Sequence, residues 1–328
     1  MIKAAILGER LAGTVEAPLP LVPPNGVLVR VTVAPMCAEY KAFVGGNVTD
    51  CLGHEAVGVV VESSSGLRKP GDRVVVMPLD ACGSCPLCLS GNFIHCEKNP
   101  MKDASMAQYV AKNAFLALEI PDDISDEMAS LACCGLGPSF GAFQLLEVSA
   151  YDTVLITGLG PVGLGAIVNA KFRNAHVIAV ESNPYRVRLA RELGADAVYD
   201  PADPDTLARI REFCGGAGPD AALDCSGAVA AHRLCIDAVR RKGKVAFIGE
   251  SFAETPISIS KDMLRKGLHL IGSWHYNLND FPKLMHVIRH SPLAGKLVSH
   301  VFPMSAIQEA FETAASQQSA KILLKPWE

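Results

Sequence analysis

The segment Gly158-Leu159-Gly160-Pro161-Val162-Gly163 limits what this chain can fold into more than any other. It follows an apolar run at 152–157 (DTVLIT), opens a helix-like stretch, and is succeeded by a second apolar run at 176–180 (HVIAV). Strand, glycine turn, helix and strand in that order make a βαβ unit with a G-x-G-x-x-G turn. The first glycine permits the tight turn and the second lets a pyrophosphate approach the backbone. The third allows close packing of helix on strand, and the helix start, at Pro161 and Val162, favours an anion. Glu181 ends the second strand, eighteen residues after Gly163. A carboxylate there can accept hydrogen bonds from ribose hydroxyls and repels a 2′-phosphate, which favours NAD over NADP, although the cation at Arg186 offsets part of that repulsion.

Buried-strand candidates at 221–224, 244–248 and 269–271 alternate with helical stretches, so a parallel, doubly wound α/β sheet is expected. Within it, Asn183-Pro184 supplies an N-cap and a first-turn proline, and Gly194 stands where a helix C-terminal glycine belongs. The first third reads differently, with β-branched runs at 26–34, 56–62 and 72–77 broken by Pro and Gly. After Ser273 the chain predicts helices at 281–289 and 305–316 and a closing strand at 320–325. The tail is expected to pack back on the β-rich part, making one domain from 1–135 and 274–328 around a second at 136–273. At 328 residues there is enough chain for both.

A net charge of −4 without a run of like charges gives no footprint for nucleic acid or an anionic membrane. A small neutral or polar substrate is the better expectation. The first nine residues hold only a five-residue apolar stretch, and the uncharged, mostly apolar stretch 155–170 contains four glycines and is too short to span a bilayer. A soluble, cytoplasmic protein is expected.

In that setting eleven cysteines suggest metal ligation or catalysis rather than disulfides. Cys82-x2-Cys85-x2-Cys88-x7-Cys96 places four thiols where a tight loop can wrap one tetrahedral ion, and four cysteines close its coordination shell. The expectation is a structural zinc, although iron–sulfur clusters use overlapping spacings. Cys37 and His54, read alone, are an ordinary small core residue and an ordinary histidine. Core packing accounts for Cys51, Cys133, Cys214, Cys225 and Cys235.

The order of motifs resembles the zinc-containing alcohol dehydrogenases of the medium-chain dehydrogenase/reductase superfamily over nearly the whole chain. Cys37 precedes Gly53-His54-Glu55, then come Gly71-Asp72-Arg73-Val74, the four-cysteine lobe, a cysteine before the βαβ unit, and the glycine fingerprint. The stretch 272–325, with Gly272-Ser273-Trp274-His275-Tyr276-Asn277, is similar to the polyol (sorbitol) dehydrogenase branch. This resemblance implies a Rossmann cofactor domain inserted in a β-rich, GroES-like catalytic domain, two zinc ions per chain, and hydride transfer between NAD(H) and an alcohol or ketone. It further implies a homodimer or homotetramer joined through cofactor-domain strands. By the same resemblance Cys37, His54 and Cys134 hold a catalytic zinc, Lewis acid to the substrate oxygen. Phe140-Gly141 favours Cys134 over Cys133, and Glu55 is a carboxylate behind the ligands.

Relatives carry Ser or Thr two residues after the first ligand and use it to pass the alcohol proton outward. This chain reads Cys37-Ala38-Glu39-Tyr40, so Glu39, Tyr40 or another residue is expected to take that role, and Glu39 can act as a base, become a ligand, or point away. The interval from Cys37 to His54 is short for the family, which implies an altered or more open pocket. His275, Tyr276 and Asn277 either present hydrogen-bonding groups to a polyol or form a loop at the cofactor-domain exit. Two rivals remain: a zinc-independent quinone or enoyl reductase on the same fold, and a catalytically silent NAD-binding protein.

Overall fold

The computed structural model describes residues 1–98 and 104–328. In chain order the strands are β1 (Ile2–Gly8), β2 (Leu11–Glu16), β3 (Gly26–Met36), β4 (Ala56–Ser63), β5 (Arg73–Val76), β6 (Tyr109–Asn113) and β7 (Ala117–Glu119). The middle of the chain adds β8 (Thr153–Thr157), β9 (His176–Val180), β10 (Ala197–Tyr199), β11 (Ala221–Asp224), β12 (Lys244–Phe247) and β13 (His269–Gly272). The tail adds β14 (Val298–Pro303) and β15 (Lys321–Lys325). The chain divides into two compact units: Met1–Gly135 with Asn277–His290 and Gly295–Glu328, and Leu136–Tyr276 with Ser291–Ala294.

In the first unit β1 and β2 form an antiparallel hairpin, and a seven-stranded sheet runs β14-β15-β3-β4-β5-β7, with β6 also paired to β3. β3 is its organising strand. Val27, Val29 and Val31, which alternate along the strand and so share one face, are fully buried, while Arg30 between them is half-buried. The core beneath includes Phe43 stacked on Phe311 at 5.2 Å, which fixes the helix Ile307–Ala315 against the short helix Tyr40–Val44.

In the second unit six strands are all parallel in the order β10-β9-β8-β11-β12-β13. Strand order reverses beside β8, the switch point at which open α/β sheets bind ligands. Leu155, Ile178, Ala222 and Val245 lie at the centre of its core. Asn183 caps the helix Pro184–Glu192 by accepting from the Tyr185 and Arg186 N–H groups, and Gly194 closes it at φ +91°.

The β1–β2 hairpin and β14 add strands that the pattern does not announce. β14 is half-exposed and carries Ser299 and His300, so it lacks the apolar run that marks its neighbours. Among the described residues no single helix is long and apolar enough to cross a membrane.

Candidate active site and metal centres

Sheet topology gathers the first constellation. β4 and β15 both run antiparallel to β3, so the C-terminal end of β3 meets the N-terminal ends of the other two. Cys37 follows β3, His54 and Glu55 precede β4, and Lys321 begins β15, where Ile322 pairs with Met36. Cys134 arrives from the turn after Ser130–Ala132. Gly53, at φ +81°, makes the approach to His54 possible, because a Cβ there would meet the Met106 nitrogen at 2.8 Å.

Ligand atoms of Cys37, His54, Glu55 and Cys134 all lie within 4.8 Å of one another. His54 Nε2 is 3.1 Å from Cys134 Sγ, and Nδ1 is 3.2 Å from Glu39 Oε1. The other Glu39 oxygen accepts the Cys37 backbone N–H at 2.7 Å. Glu55, fully buried, accepts from Lys321 Nζ at 2.5 Å on one oxygen and from the Cys134 N–H at 3.1 Å on the other. Glu55 Oε1 also lies 3.6 Å from His54 Nε2, so a hydrogen-bonded carboxylate stands beside the two sulfurs and the imidazole nitrogen. Two sulfurs and one imidazole with a carboxylate behind them fit a zinc held by three protein ligands. Cys133, by contrast, turns its thiol to the Val76 carbonyl at 3.5 Å.

The local field favours ligation. A hydrogen bond from Cys134, with Lys321 and His54 adding to it against the opposing effect of burial, holds the Cys37 thiol well below its usual value. The same bond, together with burial, raises Cys134. Burial opposes a charge on Lys321, but Glu55 and the two cysteines outweigh it, so the ammonium is held charged.

The second constellation is local. Cys82, Cys85, Cys88 and Cys96 converge, with Sγ separations of 3.4 Å for Cys85–Cys88, 3.9 Å for Cys82–Cys88 and 4.0 Å for Cys85–Cys96. The helix Pro86–Leu89 and the positive-φ Gly83 and Gly91 let the loop close on itself. The Ser84 backbone N–H draws Cys82 down to about 5, so one thiolate is stabilised by the main chain. Four sulfurs, with no other donor among the described residues, fit a closed, structural zinc.

The third constellation, in the second unit, is the glycine turn. Gly158 takes φ +78°, and a Cβ there would meet Ser226 at 2.5 Å; a Cβ on Gly163 would lie 2.0 Å from the Gly158 carbonyl. Gly160 instead faces open space, with nothing within 4 Å of its missing Cβ. Turn, packing and open approach are thus divided among the three glycines as a dinucleotide site requires. Pro161 and Val162 begin the helix Pro161–Phe172. Glu181 accepts the Leu159 N–H at 2.8 Å and the Ser182 and Asn183 N–H groups at 2.9 Å, and Arg186 stands 3.9 Å from it.

Comparison with known proteins bears on all three. The family described as alcohol dehydrogenase GroES-like domain matches residues 23–122, and that described as zinc-binding dehydrogenase matches 161–290. An uncharacterized zinc-type alcohol dehydrogenase-like protein of Escherichia coli is 31% identical over 301 residues, 89% of this chain and 83% of the relative. The chain belongs to the zinc-type alcohol dehydrogenases. An L-threonine 3-dehydrogenase of Symbiobacterium thermophilum is 30% identical, over 95% of this chain and 93% of the relative. The solved alcohol dehydrogenase of Thermus sp. ATN1 superposes with a TM-score of 0.91 at 26% identity, covering 99% of each chain. As a member of this family the protein is an oxidoreductase of CH–OH groups that works with zinc and NAD, on a GroES-like and Rossmann architecture.

Two features of this dehydrogenase escape a reading of the sequence. Lys321 sits at the head of an apolar strand, KILLK, where a lysine ordinarily marks an exposed end; its burial to 1% exposure follows from pairing with Glu55. The one available signal was that β15 is apolar on both faces. Asn277 belongs to the cysteine lobe: its amide donates to the Ser90 carbonyl at 2.8 Å and to Asn92 at 3.1 Å. His275 and Tyr276 are buried, Tyr276 edge-on to Phe140 at 6.4 Å. In this segment His275 and Tyr276 pack and Asn277 clamps the lobe.

Proposed function

We propose that the protein oxidises a secondary alcohol bearing further polar groups, a polyol or sugar-derived compound, or reduces the matching ketone, with Cys37, His54 and Cys134 as ligands of the catalytic zinc. The observation that carries this reading is the convergence of Cys37, His54 and Cys134, whose ligand atoms lie within 4.8 Å of one another, with Glu55, the fourth group of that cluster, hydrogen-bonded by Lys321 and the Cys134 N–H. Zinc bound there supplies a Lewis acid at the substrate oxygen. Cys82, Cys85, Cys88 and Cys96 hold a second zinc that stabilises the fold. The relative named L-threonine 3-dehydrogenase supports the substrate class, since position 3 of threonine is a secondary alcohol next to a carbon that bears amino and carboxylate groups.

Glu39 acts as a positioning residue. Its two oxygens are occupied by His54 Nδ1 and the Cys37 N–H, which sets the imidazole tautomer with Nε2 toward the ligand position and ties the two ligands together. In this reading the alcohol proton passes through Tyr40 or another residue. NAD is preferred to NADP because Glu181 stands at the end of β9, although Arg186 beside it moderates the preference. β13, the edge strand of the six-stranded sheet, is the surface through which two copies pair.

A panel of polyols, sugars, β-hydroxy amino acids and simple alcohols, followed by NADH absorbance with zinc-replete protein, tests the substrate class. Turnover confined to simple alcohols refutes the polar-substrate reading, and turnover with NADP alone refutes the cofactor preference.

A further inference from the structure

The second unit carries a cavity of about 430 Å³ lined by Arg211, Asp237, Arg241, Lys261, Asp262, Arg265 and Lys266, with Gly216, Ala217 and Val239. It lies where the chain enters three parallel strands: 216–217 lead into β11, Arg241 into β12, and Lys266 into β13. The glycine turn follows the C-terminal end of β8, so the cavity is at the opposite edge of the same sheet from the dinucleotide.

Charge there runs against the rest of the molecule. Both lining carboxylates are taken by Arg233, which donates to Asp237 at 2.7 and 2.9 Å and to Asp262 at 2.9 and 3.0 Å. Counting Arg233, six cationic side chains face two acidic ones, a net of plus four in a chain whose total is −4. Lys266 Nζ donates to the Ile236 and Asp237 carbonyls, and Arg211 to the latter, at the C-terminal end of the helix Val229–Ala238. A helix end offsets only about half a unit of charge, so most of the positive excess stays unbalanced. Among the described residues the Lys261 and Arg265 side chains donate to no protein acceptor, and both are exposed. Burial, assisted by Arg211 and Arg233 and opposed by Asp237, pushes Lys266 down to about 8.

We propose that this cavity binds a phosphate dianion, free or esterified to a small metabolite, at a site separate from the cofactor crevice. Guanidinium forks match phosphate oxygens in pairs, and an ammonium at the cavity wall adds a point charge, which is the donor mixture found here. A phosphate restores the missing negative charge, and the cavity leaves room for a small group attached to it.

The test is calorimetric titration of the zinc-replete, NAD-saturated protein with inorganic phosphate and with glycerol 3-phosphate at fixed ionic strength. One saturable site per chain is expected, weakened about tenfold or more in Lys261→Ala/Arg265→Ala, with ligand-free melting temperature and turnover unchanged. Tighter binding of the ester marks a metabolite as occupant and equal binding marks free phosphate; both uphold the site. No saturable binding by about 10 mM overturns it. So does undiminished binding by the variant, or binding that appears only when NAD is omitted, which places the ion at the glycine turn. If the double variant melts early, Arg265→Gln alone repeats the comparison at an exposed side chain.

Discussion

The two cysteine-bearing sites of the first unit use one chemistry in opposite ways. In the lobe, four sulfurs come from fifteen consecutive residues and, among the described residues, make up the whole cluster. In the other site, Cys37, His54 and Cys134 come from separate segments, and the carboxylate that could complete the shell is drawn off by Lys321 and a backbone N–H. On the proposed assignment the two sites differ in their ligand sets and in Glu55, a carboxylate within ligand distance that Lys321 and the Cys134 N–H hold. The sharpest way to break this comparison is to remove one sulfur from each site. Cys37→Ser should lower turnover about a thousandfold, the several kcal/mol a Lewis acid contributes to the transition state, while urea unfolding stays near wild type. Cys88→Ser should instead lower stability and zinc content together. Full turnover by Cys37→Ser, with one zinc left by elemental analysis, sinks the assignment.

Lys321→Met tests what keeps Glu55 from the open position. Removing one partner leaves a buried charge uncompensated, and a loss of about 3–5 kcal/mol in urea unfolding is expected. The double variant Lys321→Met/Glu55→Gln should recover much of that loss, because neither group then carries a charge. If the single variant is as stable as wild type, Glu55 is not paired with Lys321 in solution.

The same contrast explains what could be read from the chain. The lobe was legible because its ligands are neighbours in sequence and only a tight loop joins them. The glycine turn was legible because strand, turn and helix are consecutive, and each glycine proves to have the steric reason expected of it. Cys37, His54 and Cys134 carry no local signature; family resemblance gathers them, and the antiparallel register of β3 with β4 explains why Cys37 and His54 meet, while Cys134 arrives from the turn after Ser130–Ala132. Lys321 had neither aid. Its role exists only once β15 is laid beside β3, and nothing in a five-residue strand says which of its two lysines is inside. For Glu39 the residue was legible and its task was not, since a proton relay and a clamp on His54 demand the same carboxylate at the same place.

Glu39→Gln separates those tasks. A clamp predicts zinc affinity lowered about 10–100-fold, measured by competition with a chelator, with turnover falling in step. A relay predicts lost turnover with zinc affinity intact. The second outcome would return Glu39 to the proton path and leave the His54 contact without consequence.

The smallest effect comes from the lobe's outer support. Asn277 reaches Ser90 and Asn92 through its amide and accepts the Asn279 N–H at 2.9 Å, while the Leu278 N–H donates to the Gly91 carbonyl at 3.0 Å. Asn277→Ala deletes the side-chain bonds and keeps the backbone one, so a loss of about 1 kcal/mol is expected in urea unfolding, with KM for every substrate unchanged. Because Ser90 and Asn92 lie between the third and fourth cysteines, chelator-driven release of the lobe's zinc should quicken as the loop loosens. A raised KM with unchanged stability reverses this placement: Asn277 then serves the open site, and the division between a closed lobe that holds the fold and an open site that meets the substrate loses its outermost member.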